Sequence, residues 1–333
     1  MTSDGDARVV RLGTRDVTFP SAELCQLHDC NHLLGVSQAL MEELRDKGYL
    51  FIRGLHNPGE VAQARLAVLE YILEAGEGKL QTGHPWEAGV LDQKCGRGCL
   101  PFMEGVRPIT HVEAVSKVLE GPRPFSFFKN LLGQEARTFD YKWLRGINRK
   151  EFTGAHVDNV YMSRGTDELY TMWTPFGDVS VEMGTLAVCE RSHKLPEFQH
   201  FQETYGNMDV ERDHLQGTGW FTEDPFEITR RFGGQWKTTD FQAGDVLIFT
   251  MRTVHMSTAN LTNYVRISCD TRWQPLSHPA DPRYIDNFEF SKPRFGLHAQ
   301  NEVLSRPSET KVTIETLKKK WGFLDASEKE KTN

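Results

Sequence analysis

The sequence is poor in cysteine, has no long apolar run and carries no excess of positive charge. Six cysteines are spread over 333 residues, and a chain of this length needs no disulfides to stabilise its core. We therefore expect reduced thiols and a cytoplasmic protein. No apolar run approaches the roughly 20 residues that cross a bilayer, and the polar start lacks the apolar core of a signal peptide. A net charge of -7 gives no electrostatic footprint for nucleic acid.

The composition is that of an ordinary globular protein, with 38% hydrophobic and 26% charged residues. We expect residues 1–333 to form a single domain. Cys95 and Cys99 flank Gly-Arg-Gly, but no second pair follows at zinc-ligand spacing, so a Gly-rich loop is expected there. The sequence carries no signal of the oligomeric state.

The pattern of the chain changes near residue 137. Before it, helical spacing predicts helices over 37–47, 61–73 and 111–118, with a strand at 49–52 and loops over 75–107. We expect the elements of residues 37–136 to pack on a core built from residues 137–275. There the sequence predicts short strands at 138–143, 155–161, 169–176, 185–189, 245–250 and 265–273.

Many short strands in one stretch favour a jelly roll over a parallel sheet, so the expected fold is mainly β with flanking helices. Residues 195–241 interrupt the strands as a polar and aromatic, lid-like insertion. Residues 276–333 form a charged C-terminal extension with one helix expected at 313–321.

His156, Asp158 and His255 are the candidate metal ligands. On a strand, His156 and Asp158 point to the same face. Two imidazoles and one carboxylate on one face of a metal are typical of non-haem Fe(II) oxygenases, whose open positions accept a co-substrate and O₂. Taken separately, His-x-Asp fits a surface strand, and a single histidine after a buried strand fits a core residue.

Arg266 is the fourth candidate. Alternation over residues 264–270 puts Arg266, Ser268 and Asp270 on one face and the apolar residues on the other. If the apolar face packs outward, Arg266 points into the barrel, where a buried guanidinium requires an anion. A bidentate carboxylate is the partner that suits its geometry; on a half-exposed strand it would be a surface arginine.

Together these motifs resemble the phytanoyl-CoA dioxygenase family. The resemblance rests on Gly154-Ala-His156-Val-Asp158, Trp173, residues 184–194, Gly244-Asp245, His255-Met-Ser257 and Arg266. It covers roughly residues 37–275, and residues 154–274 carry nearly all of its specificity. It implies a double-stranded β-helix (jelly-roll, cupin-like) core that uses Fe(II), 2-oxoglutarate and O₂, with ascorbate as a candidate reductant.

The resemblance also implies roles for individual residues. His156, Asp158 and His255 match the iron ligands, Arg266 matches the arginine that pairs with the distal carboxylate of 2-oxoglutarate, and Ser257 matches a nearby hydroxyl. Trp173 matches an aromatic of the co-substrate pocket, although an ordinary core tryptophan fits it equally well. Tyr141 and Trp143, which share a strand face opposite Lys142, are candidates for a further co-substrate contact. Ser192-His193-Lys194 matches a structural segment, but Glu190-Arg191 replaces the family's usual Pro-Gly before it.

The implied reaction is hydroxylation of a small molecule with release of succinate and CO₂. Asp158 favours hydroxylation over halogenation, because related halogenases lack the carboxylate. Desaturation, epimerisation and ring chemistry stay open. So do a cupin-like isomerase or metal-dependent dioxygenase without a keto-acid co-substrate, and a non-catalytic jelly-roll binding protein.

The substrate contacts are expected in two segments. Tyr161, Met162 and Arg164 follow Asp158, and Trp220 and Trp236 lie in the insertion. Aromatics together with Arg230-Arg231 suggest a small, partly apolar and anionic substrate. No cluster of basic residues demands a CoA ester.

Overall fold

The computed structural model describes residues 7–76, 78–285 and 312–324. Its strands are β1 (Arg8–Leu12), β2 (Arg15–Phe19), β3 (Leu24–Gln26), β4 (Tyr49–Ile52), β5 (Ala136–Thr138), β6 (Trp143–Ile147), β7 (Tyr170–Pro175), β8 (Leu186–Glu190), β9 (Gln235–Thr238), β10 (Val246–Thr250), β11 (His255–Ser257) and β12 (Arg266–Pro275). Its α-helices are α1 (Ser37–Lys47), α2 (Pro58–Glu74), α3 (Pro108–His111), α4 (Glu113–Leu119), α5 (Pro122–Leu132), α6 (Gln199–Glu203), α7 (Pro225–Phe232) and α8 (Ile314–Lys320).

Two sheets form the core. The larger has the order β4-β10-β7-β12-β5, with β6 also pairing with β12, and the smaller has the order β11-β8-β9-β3. One apolar cluster joins them, since Phe51, Trp173 and Phe249 of the larger sheet pack with Leu186 and Val188 of the smaller. The expected jelly-roll core with flanking helices is confirmed.

Helices α1, α2, α4 and α5 cover the outer face of the larger sheet, whereas α6, α7 and α8 pack in the cluster of the smaller sheet. Val265, Ile267 and Cys269 pack in one cluster with the buried side of α2 and with α4. The apolar face of β12 is therefore turned outward, as its alternation predicts, and Arg266 is turned inward. α1 ends where Gly48 adopts a left-handed conformation with φ +85°, which glycine does without steric cost.

Several elements differ from the sequence predictions. Residues 155 and 156 form only isolated bridges, and a 3₁₀ turn over Asp158–Val160 replaces the rest of the strand predicted at 155–161. The strand predicted at 138–143 is divided between β5 and β6. The predicted insertion ends in β9, which pairs with β8 and β3, so residues 235–238 belong to the core. The sequence did not reveal α5 or the N-terminal strands β1–β3.

Cys95 and Cys99 form a disulfide with Cα atoms 5.4 Å apart, so the expectation of reduced thiols was wrong for this pair. The other four cysteines are free. Within the described residues no helix combines the length and the apolar character needed to cross a membrane. The helix expected at 313–321 is present as α8; most of the rest of the predicted extension lies outside the described residues.

Candidate metal centre

His156 and His255 are brought together by backbone pairing. Each residue donates its N–H to the carbonyl oxygen of the other at 3.0 Å, so they form an antiparallel bridge. Residues paired directly across two strands place their side chains side by side on one face. The two imidazole centroids lie 4.1 Å apart.

Asp158 reaches the same point from the 3₁₀ turn. Its Oδ1 lies 3.7 Å from Nε2 of His156 and 3.8 Å from Nε2 of His255, and one donor atom from each residue lies within 4.8 Å of the others. All three residues are buried. The prediction that they converge is confirmed, but strand alternation was the wrong reason for Asp158.

Both imidazoles are prepared to bind a metal. His156 Nδ1 donates to the carbonyl of Gly154 at 2.8 Å, and His255 Nδ1 donates to the carbonyl of Thr253 at 3.0 Å. Because the carbonyls fix the proton on Nδ1, the Nε2 lone pairs face Asp158. Burial, followed by the neighbouring His255, lowers the pKa of His156 to about 3, and burial lowers the pKa of His255. Neutral imidazoles are the form that binds a metal.

Asp158 supplies the negative charge. Burial alone would raise its pKa, but Arg272 and then the two histidines outweigh burial, so the pKa lies below its usual range. Two neutral nitrogens and one carboxylate oxygen on one side of a buried point fit the donor set of non-haem Fe(II) enzymes.

Arg266 lies at the inner end of the same cavity. It is 3% exposed, its Nη1 donates to Ser268 Oγ, and its Nε has no partner in the described part of the chain. Burial, with a smaller contribution from Arg145, lowers the pKa of Arg266 to about 9. Trp173 also lines the cavity, and its ring centroid lies 5.9 Å from the guanidinium carbon of Arg266.

The outer wall of the cavity is aromatic except for one methionine. It is formed by Tyr141, Trp143, Tyr161, Met162, Trp220 and Tyr284. Tyr161, Met162 and Trp220 were predicted as substrate contacts and Tyr141 and Trp143 as co-substrate contacts. Tyr284 follows β12 by nine residues, and no motif pointed to it. Lys142 faces the other way, where its Nζ lies 2.6 Å from Glu120, so the predicted alternation of residues 141–143 is correct.

Three predicted site residues do not line the cavity. Trp236 is fully buried in the core around β9, and its Nε1 donates to the carbonyl of Pro225 at 3.0 Å. Arg164 contacts Asp209 at 2.7 Å on the outside of the barrel. Ser257 is buried, and its Oγ accepts a hydrogen bond from the backbone of Thr153.

The segment after β8 has the structural contacts expected of it. Ser192 Oγ accepts from the backbone N–H of Val254 at 2.8 Å, and His193 Nε2 donates to the carbonyl of Arg45 at 2.9 Å. Arg191, in the usual glycine position, adopts φ +62°. Arg191 therefore takes a left-handed conformation, which glycine adopts without steric cost.

Comparisons with known proteins agree with this geometry. The family model described as phytanoyl-CoA dioxygenase (PhyH) matches residues 44–268. A 1-deoxypentalenic acid 11-beta-hydroxylase from Streptomyces exfoliatus is 25% identical over 300 residues, covering 86% of this chain and 97% of that protein.

Two solved structures share the fold. The non-haem alpha-ketoglutarate-dependent epimerase SnoN from nogalamycin biosynthesis has a TM-score of 0.50 at 20% identity, covering 78% of this chain and 89% of its own. AviO1 from Streptomyces viridochromogenes Tue57 has a TM-score of 0.50 at 16% identity, covering 74% and 98%.

The family match spans more than half of the sequence and includes all three candidate metal ligands and Arg266. The chain therefore belongs to the phytanoyl-CoA dioxygenase (PhyH) family of Fe(II)- and 2-oxoglutarate-dependent oxygenases.

Proposed function

We propose that the enzyme hydroxylates a compact small molecule without a negative charge, at a carbon held beside His156, Asp158 and His255. The observation that carries the proposal is the convergence of these three donors in a buried cavity that also contains Arg266. A metal without a co-substrate would not require a buried cation at the inner end of its site. The aromatic outer wall then remains for the substrate.

His156, Asp158 and His255 would hold the iron, and Arg266 would bind the distal carboxylate of 2-oxoglutarate. When bound, Fe(II) with 2-oxoglutarate and O₂ supplies the oxidising chemistry. Arg266 contributes a fixed pair of donors that orients the co-substrate. Trp173 covers that end of the cavity and, with the sheet interior, keeps water away from the carboxylate–guanidinium pair, which strengthens their attraction.

The charges around the cavity argue against an anionic substrate. Arg145 lies 2.6 Å from Glu104 and 2.8 Å from Asp270, and Arg272 lies 3.2 Å from Asp158. Among the described lining residues, Arg266 is the arginine that has no carboxylate partner. The distal carboxylate of 2-oxoglutarate would pair with it. Since burying an unpaired charge is costly, an anionic group on the part of the substrate that enters would have no counter-ion here.

This replaces the expectation of an anionic substrate. That expectation used Arg230 and Arg231, which are exposed on α7 and do not line the cavity. The cavity volume is about 100 Å³, below the roughly 300–1,000 Å³ of common ligand pockets. Because 2-oxoglutarate would share this cavity, little room is left beside the metal, which favours a compact molecule or the end of a larger one.

The test is succinate formation from 2-oxoglutarate with Fe(II), measured while candidate metabolites are screened. Stimulated turnover should be lost in His255→Ala and kept in His193→Ala, a matched histidine outside the cavity. A hydroxylated product has one added oxygen by mass spectrometry, whereas desaturation removes two hydrogens and epimerisation leaves the mass unchanged.

Matched pairs of one skeleton, as carboxylate and as primary amide, test the charge. We expect the amide to stimulate turnover more strongly. A preference for carboxylates would contradict the inference that the substrate carries no negative charge, without affecting the reaction class. If wild type and His255→Ala form succinate equally with every compound, the proposed function is wrong.

A further inference from the structure

Asp158 is the candidate ligand whose position the sheets do not fix. His156 and His255 are held by their mutual backbone hydrogen bonds, but Asp158 begins a 3₁₀ turn. A carboxylate can rotate and present either oxygen or both. Side-chain contacts must therefore decide which oxygen faces the histidines.

Two side chains contact the same oxygen of Asp158. Thr171 Oγ1 donates to Oδ2 at 2.5 Å, and Arg272 Nη2 lies 3.2 Å from Oδ2. The other oxygen, Oδ1, lies 3.7 and 3.8 Å from the Nε2 atoms of the two histidines. Oδ2 is therefore bound by Thr171 and Arg272, and Oδ1 is the oxygen that faces the histidines.

Sheet register explains why these two side chains meet at Oδ2. Thr171 on β7 and Arg272 on β12 are direct partners in the antiparallel pairing. Directly opposed residues project to the same face, so both reach the interior beside Asp158. Thr171 is fully buried, and Arg272 is 2% exposed.

Arg272 is itself held firmly. Its guanidinium carbon lies 4.3 Å from the ring centroid of Trp143, and its Nε contacts Met162 Sδ at 3.1 Å. Its Nη1 is buried without a hydrogen-bond partner in the described part of the chain. Burying a guanidinium with an unpaired donor is unfavourable for stability, which indicates that Arg272 is there for the site.

We propose that Thr171 and Arg272 are positioning residues that bind Oδ2 of Asp158 and so present Oδ1 alone to the metal. Outer partners of this kind orient ligands and set metal affinity. The inference rests on the proposed function, because it assigns the metal to His156, Asp158 and His255.

The test is Mn(II) binding to the metal-free full-length protein, with the free ion measured by electron paramagnetic resonance. Thr171→Val keeps the side-chain shape and removes the hydroxyl, and we expect it to weaken Mn(II) binding about 10- to 100-fold. Thr174→Val is the matched control on the same strand, because its buried hydroxyl has no partner among the described residues; its affinity should equal that of wild type.

Arg272→Met and Arg272→Lys add a second measurement. Met should weaken binding to a similar extent, and Lys should recover part of the affinity, since it keeps a charge near Oδ2. The Co(II) absorption spectrum should change in Thr171→Val and Arg272→Met, because the carboxylate can then bind through both oxygens. The melting temperature of the metal-free protein shows whether any variant has failed to fold.

The outcomes separate the two proposals. If wild type binds no Mn(II), the proposed function fails. If wild type binds Mn(II) and folded Thr171→Val and Arg272→Met bind it equally well with an unchanged Co(II) spectrum, only the positioning role is overturned.

Discussion

The two ends of the cavity are built in different ways. At the metal end, His156 and His255 face each other through paired backbone hydrogen bonds, and Arg266 projects from a ten-residue strand. At the mouth, Tyr161, Trp220 and Tyr284 come from three separate non-strand segments. Sheet pairing fixes the reactive groups, whereas side-chain contacts between loops fix the entrance.

The mouth is held by its own polar contacts. Tyr161 donates its hydroxyl to the carbonyl of Thr218 at 2.7 Å, and Tyr284 donates to the carbonyl of Tyr161 at 3.0 Å. Outside these rings, Arg283 contacts Asp281 at 2.6 Å and Glu211 at 3.1 Å. These contacts join loop segments to one another and do not involve the three candidate metal ligands.

The largest expected effect is at the metal end. Arg266→Met should raise the KM for 2-oxoglutarate roughly 150-fold, since removing one partner of a buried charge pair costs about 3 kcal/mol. Without co-substrate, the melting temperature should stay equal or rise, because a buried unpaired cation is unfavourable. Succinate assays and thermal melts measure both; an unchanged KM would remove Arg266 from the co-substrate site.

A second prediction concerns the mouth. Trp220→Ala should raise the KM for the stimulating substrate roughly 10- to 30-fold, because buried aromatic anchors contribute about 2 kcal/mol to binding. Mn(II) affinity and the KM for 2-oxoglutarate should stay at wild-type values. A parallel loss of metal binding would show that the two ends are not independent.

The stability of the folded protein should depend on pH through His56, which does not line the cavity. His56 is 2% exposed, and burial, followed by Arg123, lowers its pKa to about 4. Between about pH 6.5 and pH 4 the unfolded chain binds a proton there and the folded protein does not, so stability falls as the pH falls through this window. In His56→Phe, the free energy of unfolding that is lost between these two pH values should be smaller by on the order of 1–3 kcal/mol. Urea unfolding at several pH values measures this difference. If the free energy of unfolding changes equally with pH in wild type and His56→Phe, groups other than His56 cause the acid sensitivity.

The smallest effect is expected far from the cavity. Arg191 adopts φ +62°, which costs roughly 1 kcal/mol for a residue with a Cβ, and its ion pair with Asp46 is exposed and worth about 0–1 kcal/mol. The free energy of unfolding of Arg191→Gly should therefore lie within about 0.5 kcal/mol of the wild-type value. Arg191→Val, which is β-branched, should be less stable by more than about 1 kcal/mol. Equal stability of the two variants would argue against strain at this turn.

The same comparison explains what the sequence could predict. His156, His255 and Arg266 are placed by local motifs and strand alternation, which are visible in one sequence. Tyr284 and the contacts of Arg272 depend on segments far apart in the chain, and no periodicity records them. Trp236 shows the opposite error, since an aromatic in an apparent loop belongs to core strand β9.

The N-terminal hairpin β1–β2 has a consequence for shortening the chain. Gly13 donates its N–H to the carbonyl of Ser257 at 3.5 Å and Ala259 donates to the carbonyl of Arg11 at 2.7 Å, so the hairpin lies along β11, an outer strand of the smaller sheet. Val10 and Leu12 are fully buried there. A variant that starts at residue 37 keeps every metal ligand but lacks β1, β2 and β3, so it uncovers backbone beside β11 and along β9, and unpaired edges pair with other chains. Aggregation, rather than a damaged site, is what we expect to limit it.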